Sequence, residues 1–242
     1  PKIIYMKIVS NFSSNHSKKI RSKRQIKFVI IHYTGMQSEI ESIKRLKNPK
    51  YKVSCHYLIN RKGLIIQMVK DKNIAWHAGK SKWKNFINLN NCSLGIELVN
   101  KGHRFGYQKF NFKQISSLIK LCKRLKKKYL IKKENFLGHS DIAPLRKVDP
   151  GEKFPWEKLN SYNIGKWYIK KKNTSKFVSN PKLIEVLFFK NLLKIGYKYF
   201  HIYKRNSTDQ KVVKSFQRHF LPENVNGKID QKTYKISHLL TH

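Results

Sequence analysis

Two periodicities divide this chain. Residues Ile26-Lys27-Phe28-Val29-Ile30-Ile31-His32-Tyr33 are apolar on both faces and rich in β-branched side chains, which predicts a central strand buried on both sides. After Thr34-Gly35, Ser38 and Glu41 form a capping-box pattern, and Ile40, Ile43 and Leu46 supply the apolar stripe of the helix it opens. Residues 54–60 and 64–69, joined by Arg61-Lys62-Gly63, predict a hairpin. Residues 93–99 predict another strand, with Glu97 placed inside an apolar run. From Phe112 the spacing changes: Phe112, Ile115, Leu118, Ile119, Cys122, Leu125 and Tyr129 fall three and four apart, the signature of an amphipathic helix about five turns long.

Strands interleaved with helices predict an α/β domain over residues 1–168, a mixed central sheet flanked by helices. Residues 169–179 are polar and basic and read as a linker. Beyond them Asn180-Pro181 starts a helix that Gly196 ends, Asp209 caps a second bearing Val212, Val213, Phe216 and Phe220, and Asp230 caps a third bearing Ile236, Leu239 and Leu240. Residues 180–242 are therefore expected to form a small three-helix domain that folds separately.

Composition narrows this picture little. With 40% hydrophobic and 12% aromatic residues the chain can fill cores, which argues against disorder. Its 53 Lys and Arg against 13 Asp and Glu give a net charge of +40, which attracts polyanions non-specifically. No nucleic-acid motif accompanies the charge, so no specific nucleic-acid partner is expected. Cys55, Cys92 and Cys122 are odd in number and lack C-x-x-C spacing, so neither a disulfide framework nor a thiolate metal site is indicated. No stretch is long and apolar enough to cross a bilayer.

His32 ends a buried strand, His139 follows the short apolar run Asn135-Phe136-Leu137, and Asp149 comes ten residues later. Two imidazoles and a carboxylate leave a fourth tetrahedral position open, as a hydrolytic zinc site requires. Taken singly, each residue reads more readily as structural: a core histidine bonded to a carbonyl, or an aspartate capping a turn before Pro150. Glu97 could equally be a surface residue on an edge strand.

The ordered set His32-Tyr33-Thr34-Gly35, Cys55-His56-Tyr57-Leu58-Ile59, Ala75-Trp76-His77-Ala78-Gly79, Leu94-Gly95-Ile96-Glu97-Leu98-Val99-Asn100, Gly138-His139-Ser140-Asp141-Ile142-Ala143-Pro144 and Arg146-Lys147-Val148-Asp149-Pro150-Gly151 resembles the N-acetylmuramoyl-L-alanine amidase type 2 family over about residues 10–168. That family shares its fold with peptidoglycan recognition proteins. The resemblance implies one Zn2+ per chain held by His32, His139 and Asp149, with Glu97 as catalytic acid/base and Lys147 as the cation facing the developing oxyanion. It also implies that His56 lines the cleft and that Trp76 and His77 contact sugar or peptide. Val213-Lys214-Ser215-Phe216-Gln217-Arg218, then Asn226-Gly227-Lys228-Ile229-Asp230-Gln231-Lys232-Thr233, resembles the F-Q, G, D-x-x-T pattern of helical peptidoglycan-binding domains. The expected function is hydrolysis of the bond between N-acetylmuramic or anhydromuramic acid and L-alanine, in peptidoglycan or muropeptides. A non-catalytic peptidoglycan recognition protein is the alternative. A monomer in the cell envelope, periplasmic or outer-membrane associated, is expected, with the cytoplasm as the other compartment.

Overall fold

A computed structural model describes residues 7–169 and 178–241. Most of the expected linker lies outside the described residues. The first part of the chain contributes ten strands: β1 (Ile8–Ser10), β2 (His16–Ile20), β3 (Phe28–Tyr33), β4 (Tyr57–Ile59), β5 (Ile65–Gln67), β6 (Asn73–Ala75), β7 (Lys82–Trp83), β8 (Phe86–Ile87), β9 (Ser93–Leu98) and β10 (Phe136–Gly138). Among them run the helices α1 (Glu39–Lys47), α2 (Phe112–Tyr129), α3 (His139–Ile142) and α4 (Trp156–Ser161). The tail adds α5 (Pro181–Ile195), α6 (Asp209–Phe220) and α7 (Gln231–Leu239).

Six strands form the main sheet in the order β1-β5-β4-β9-β3-β10, parallel throughout except for the β4-β5 hairpin. β9 is thus interior, with β4 and β3 on either side, and Glu97 does not sit on an edge. Alternation along the pleat sends Val29 and Ile31 of β3 and Leu94, Ile96 and Leu98 of β9 to one face. There they bury against the α2 stripe of Ile115, Leu118, Ile119, Cys122 and Leu125. The opposite face is covered in two places. Leu58 and Ile66 pack with Leu46 of α1, while Phe28, Ile30 and Leu137 pack with the tail.

The tail's apolar side chains pack onto the sheet. Ile184, Phe188, Phe189, Leu192, Val212, Val213, Phe216 and Phe220 belong to the same buried cluster as Phe28, Ile30, Trp83 and Leu137. The sheet gives the tail's apolar side chains a further face to bury against. Several local expectations also shift. Ile40 is exposed, and Ser42 and Leu46 are the buried positions of α1. Asn180 and Asp230 do cap α5 and α7, but Asp209 lies inside the first turn of α6, after Thr208.

The F-Q, G, D-x-x-T residues are spent inside the tail. The Gln217 amide donates to Asn226 Oδ1 (3.1 Å), the Lys228 carbonyl (3.0 Å) and Thr233 Oγ1 (3.3 Å), and accepts from the Gly227 N–H (2.7 Å). Asp230 accepts from the Thr233 N–H at 2.7 Å. The pattern fixes how α6, the turn and α7 meet.

Phe216→Ala should destabilise the protein by about 3–5 kcal/mol, the usual range for emptying a buried aromatic site. All four tryptophans precede residue 170, and Trp83, Trp156 and Trp167 touch Tyr197, His219 and Phe220, so their fluorescence reports on the sheet part and its junction with the tail. With a shared core, this tail substitution should lower the urea midpoint seen by tryptophan fluorescence as much as that seen by circular dichroism. An unmoved fluorescence midpoint would make the tail an independent unit.

Candidate metal centre and cleft

β3 and β9 are in register with His32 opposite Glu97. His32 follows Phe28 and Ile30 on one face of β3, and Glu97 follows Ser93 and Gly95 on the same face of β9. β10 pairs with the other side of β3, and the chain turns directly from Gly138 into α3, whose first residue is His139. Asp149 is tied to α3 through the Ser140 N–H, which donates to its carbonyl at 2.9 Å. His32 Nδ1 lies 2.9 Å from His139 Nδ1 and 3.0 Å from Asp149 Oδ2, and His139 Nδ1 lies 3.1 Å from that oxygen. All three residues are buried.

The protons on these rings can be placed from the carbonyls at the far ends. His139 Nε2 faces the Ala78 carbonyl at 3.2 Å and Arg146 Nη2 at 3.4 Å; donating to the carbonyl leaves a lone pair on Nδ1. For His32 the chain of contacts is longer. Ser93 Oγ donates to the Leu89 carbonyl at 2.6 Å and therefore accepts from His77 Nε2 at 3.2 Å. His77 Nδ1 then accepts from His32 Nε2 at 3.0 Å, which leaves His32 Nδ1 with a lone pair. Two imidazole lone pairs and a carboxylate oxygen converge with no proton between them. Their spacing approaches the roughly 3.3 Å edge of a tetrahedron built on zinc with nitrogen and oxygen ligands. A cation relieves the repulsion.

The electrostatics keep the set ready for a metal at neutral pH. Burial, then the neighbouring His139, lowers the His32 pKa to about 4 despite Asp149. Burial alone would raise Asp149, but His139 and His32 outweigh it and hold the carboxyl well below its ordinary value. Glu97 behaves oppositely. Burial, then the Asp149 charge, pushes it up to about 8 against the opposing influence of Lys147, and its Oε2 has no hydrogen-bond partner.

These groups form the floor of a cleft of about 770 Å³ lined also by Trp76, Lys147, Arg45, Arg104 and Arg146. Sequence reasoning missed the three arginines; among 53 basic residues nothing marked Arg45 or Arg104. His77 lines the cleft but is 9% exposed and hydrogen-bonded to His32 and Ser93. A Cβ on Gly95 would stand 2.4 Å from the His77 ring, so the strand needs glycine there for the ring to lie flat on it. His56, expected to line the cleft, is fully buried behind it. Its Nδ1 accepts from the Gly95 N–H at 3.0 Å, and its Nε2 lies 2.8 Å from Arg21 Nη2 and 3.1 Å from the Asn73 carbonyl, so neither nitrogen is free for the cleft.

Comparison with known proteins places the chain among amidases. The family described as N-acetylmuramoyl-L-alanine amidase matches residues 22–152. The chain is 35% identical to the N-acetylmuramoyl-L-alanine amidase AmiD of Escherichia coli K12 over 239 residues, covering 89% of this chain and 82% of that protein. It is 34% identical to the 1,6-anhydro-N-acetylmuramyl-L-alanine amidase AmpD of Haemophilus influenzae over 166 residues, 61% of this chain and 88% of the other. Among solved structures, the complex of E. coli AmiD with anhydro-N-acetylmuramic acid-L-Ala-D-γ-Glu-L-Lys superposes with a TM-score of 0.78 at 33% identity, covering 89% and 88% of the two chains. AmpDh3 of Pseudomonas aeruginosa with anhydromuramic pentapeptide gives 0.77 at 28% identity, covering 94% and 95%.

Two outcomes test this geometry. Ser93→Ala removes the acceptor that fixes the His77 tautomer and should weaken metal binding about tenfold in a chelator competition. In metal-free protein Glu97 keeps its proton to about pH 8, whereas the unfolded chain releases it near the ordinary 4.5. Stability therefore falls as pH rises through that window. Glu97→Gln should abolish this component in pH-dependent urea unfolding. The opposite loss, as pH falls from 6.5 toward 4 and His32 must charge, should remain.

Proposed function

The chain belongs to the N-acetylmuramoyl-L-alanine amidase family, and we propose that it hydrolyses the amide between the lactyl group of N-acetylmuramic or anhydromuramic acid and L-alanine, with His32, His139 and Asp149 holding one zinc ion. The observation that carries the reading is the convergence of three buried ligand atoms beside a carboxyl whose Oε2 has no partner. Two nitrogens, one oxygen and an open fourth direction suit zinc among the common metals. When bound, zinc supplies a Lewis acid that polarises the amide carbonyl and makes water beside it more acidic.

The remaining work falls to side chains of this chain. Glu97 Oε2, free of other partners and opposite His32, takes the proton of the attacking water and returns it to the nitrogen of the departing L-alanine. Lys147, half-buried on the cleft wall, faces the charge that develops on the carbonyl oxygen. Arg45, Arg104 and Arg146 make the cleft strongly cationic: apart from Glu97 and Asp149 no acidic side chain lines it among the described residues. A stem peptide with γ-linked glutamate, as in the ligand of the AmiD complex, carries free carboxylates that fit such walls.

Incubating the purified protein with a soluble anhydromuramyl tripeptide should release the peptide with a free L-alanine amino group, detected by mass spectrometry. Binding without cleavage by zinc-loaded protein would support the recognition-protein alternative instead. His139→Ala should lose metal and activity together. Glu97→Gln should keep metal and lose turnover by about 10²-fold or more. Lys147→Ala should lower kcat more than it raises KM, because its partner charge exists mainly in the transition state.

A further inference from the structure

We infer that the C-terminal helices are a working part of the metal centre: Tyr197, Ser215 and His219 hold α3, and through it the ligand His139, in position. This rests on the metal-site assignment above.

α3 has four residues, too few to form a stable helix by itself, so its place must be set from outside. Three side-chain anchors come from the tail. Ser215 Oγ donates to the Ser140 carbonyl at 2.7 Å. Tyr197 Oη donates to Asp141 Oδ1 at 2.6 Å, and His219 Nδ1 meets Asp141 Oδ2 at 2.8 Å. From the sheet part, Asp141 accepts from the Gly138 N–H at 2.7 Å. Every side chain in this set is at most 3% exposed. Water therefore does not substitute for the tail's donors.

The anchors are themselves rigid. The His219 ring stacks between Trp156 and Phe220, with both centroids 4.0 Å away. Tyr197 packs edge-on against Trp83 and is fully buried. Ser140 and Asp141 immediately follow His139, so a shift of α3 moves Nδ1 off the convergence point it shares with His32 and Asp149. The Ser140 N–H also donates to the Asp149 carbonyl, so one displacement disturbs two ligands. Tyr197, Ser215 and His219 are accordingly positioning residues: none of them lines the cleft.

The test uses the full chain loaded with zinc. Tyr197→Phe keeps the ring and removes only the donor to Asp141; Ser215→Ala removes only the donor to Ser140. Each folded variant, checked by circular dichroism, should bind zinc about tenfold more weakly in competition with a chromophoric chelator, and lose kcat with little change in KM. Ser215→Thr, which restores a hydroxyl, should recover most of the affinity. Where Tyr197→Phe fails to fold, Ser215→Ala and its threonine rescue decide alone. Wild-type zinc affinity in the folded variants, with only the melting temperature lowered, would overturn the inference and leave the tail a stabilising cover. Failure of the wild-type protein itself to bind zinc would instead sink the metal assignment.

Discussion

Three lone pairs meeting at one point, with no proton to separate them, are the constraint on which the rest of this structure depends. Such a meeting is unfavourable in an empty protein and must be enforced by groups that leave the histidines no other tautomer. Two carbonyls do so. The Ala78 carbonyl fixes His139 directly, and the Leu89 carbonyl fixes His32 through Ser93 and His77. Burial lowers the His32 pKa to about 4, so that ring is neutral at pH 7. The arrangement of the candidate site thus depends on backbone acceptors of a segment that contributes none of its three converging groups.

The sheet explains why these groups can gather. Strict alternation gives β3 and β9 one face for the α2 core and another for chemistry, and the parallel register sets His32 beside Glu97. Depth on that second face is created by glycine: only the bare Cα of Gly95 lets the His77 ring lie against β9. The same residue's N–H is taken by His56, so one backbone position serves two buried imidazoles. Glu97, one step further along the strand, is left without a partner for one oxygen. That vacancy is what keeps its proton mobile.

Much of this was legible in the sequence, and the exceptions have physical reasons. The α2 stripe, the β3 and β9 runs, the hairpin and the caps Asn180 and Asp230 follow from periodicity and capping chemistry. Strands of two or three residues such as β7 and β8 are too short to show a period. The gathering of His32, His139 and Asp149 required long-range topology, which only the ordered motifs carried. His56 and His77 read alike in the sequence, yet one is spent on backbone and the other on a ligand; nothing in their neighbours announces the difference. The docking of the tail did leave a trace. Between Leu183 and Ile195, α5 bears Ile184, Val186, Leu187, Phe188, Phe189, Leu192 and Leu193, apolar around most of its circumference, and such a helix needs more than one buried contact.

The segment that supplies the two carbonyls is held from both directions. On its inner side the Asn90 amide oxygen accepts from the N–H groups of His77 (3.1 Å) and Ala78 (2.7 Å), and Ser81 Oγ accepts from Leu89 (3.0 Å), closing the loop on itself. On its outer side Trp83 meets Tyr197, and the Lys84 N–H donates to the Gly196 carbonyl at 2.8 Å. A side chain at position 196 would strike the Trp83 indole at 2.5 Å, so the glycine that ends α5 is also what admits this contact. The tail therefore touches both supports of the ligand set, α3 by hydrogen bonds to Ser140 and Asp141 and the carbonyl loop through Trp83 and Lys84. A catalytic geometry distributed over three separate strands and two loops gains its rigidity where those loops share a neighbour, and here the shared neighbour is the junction of α5 and α6.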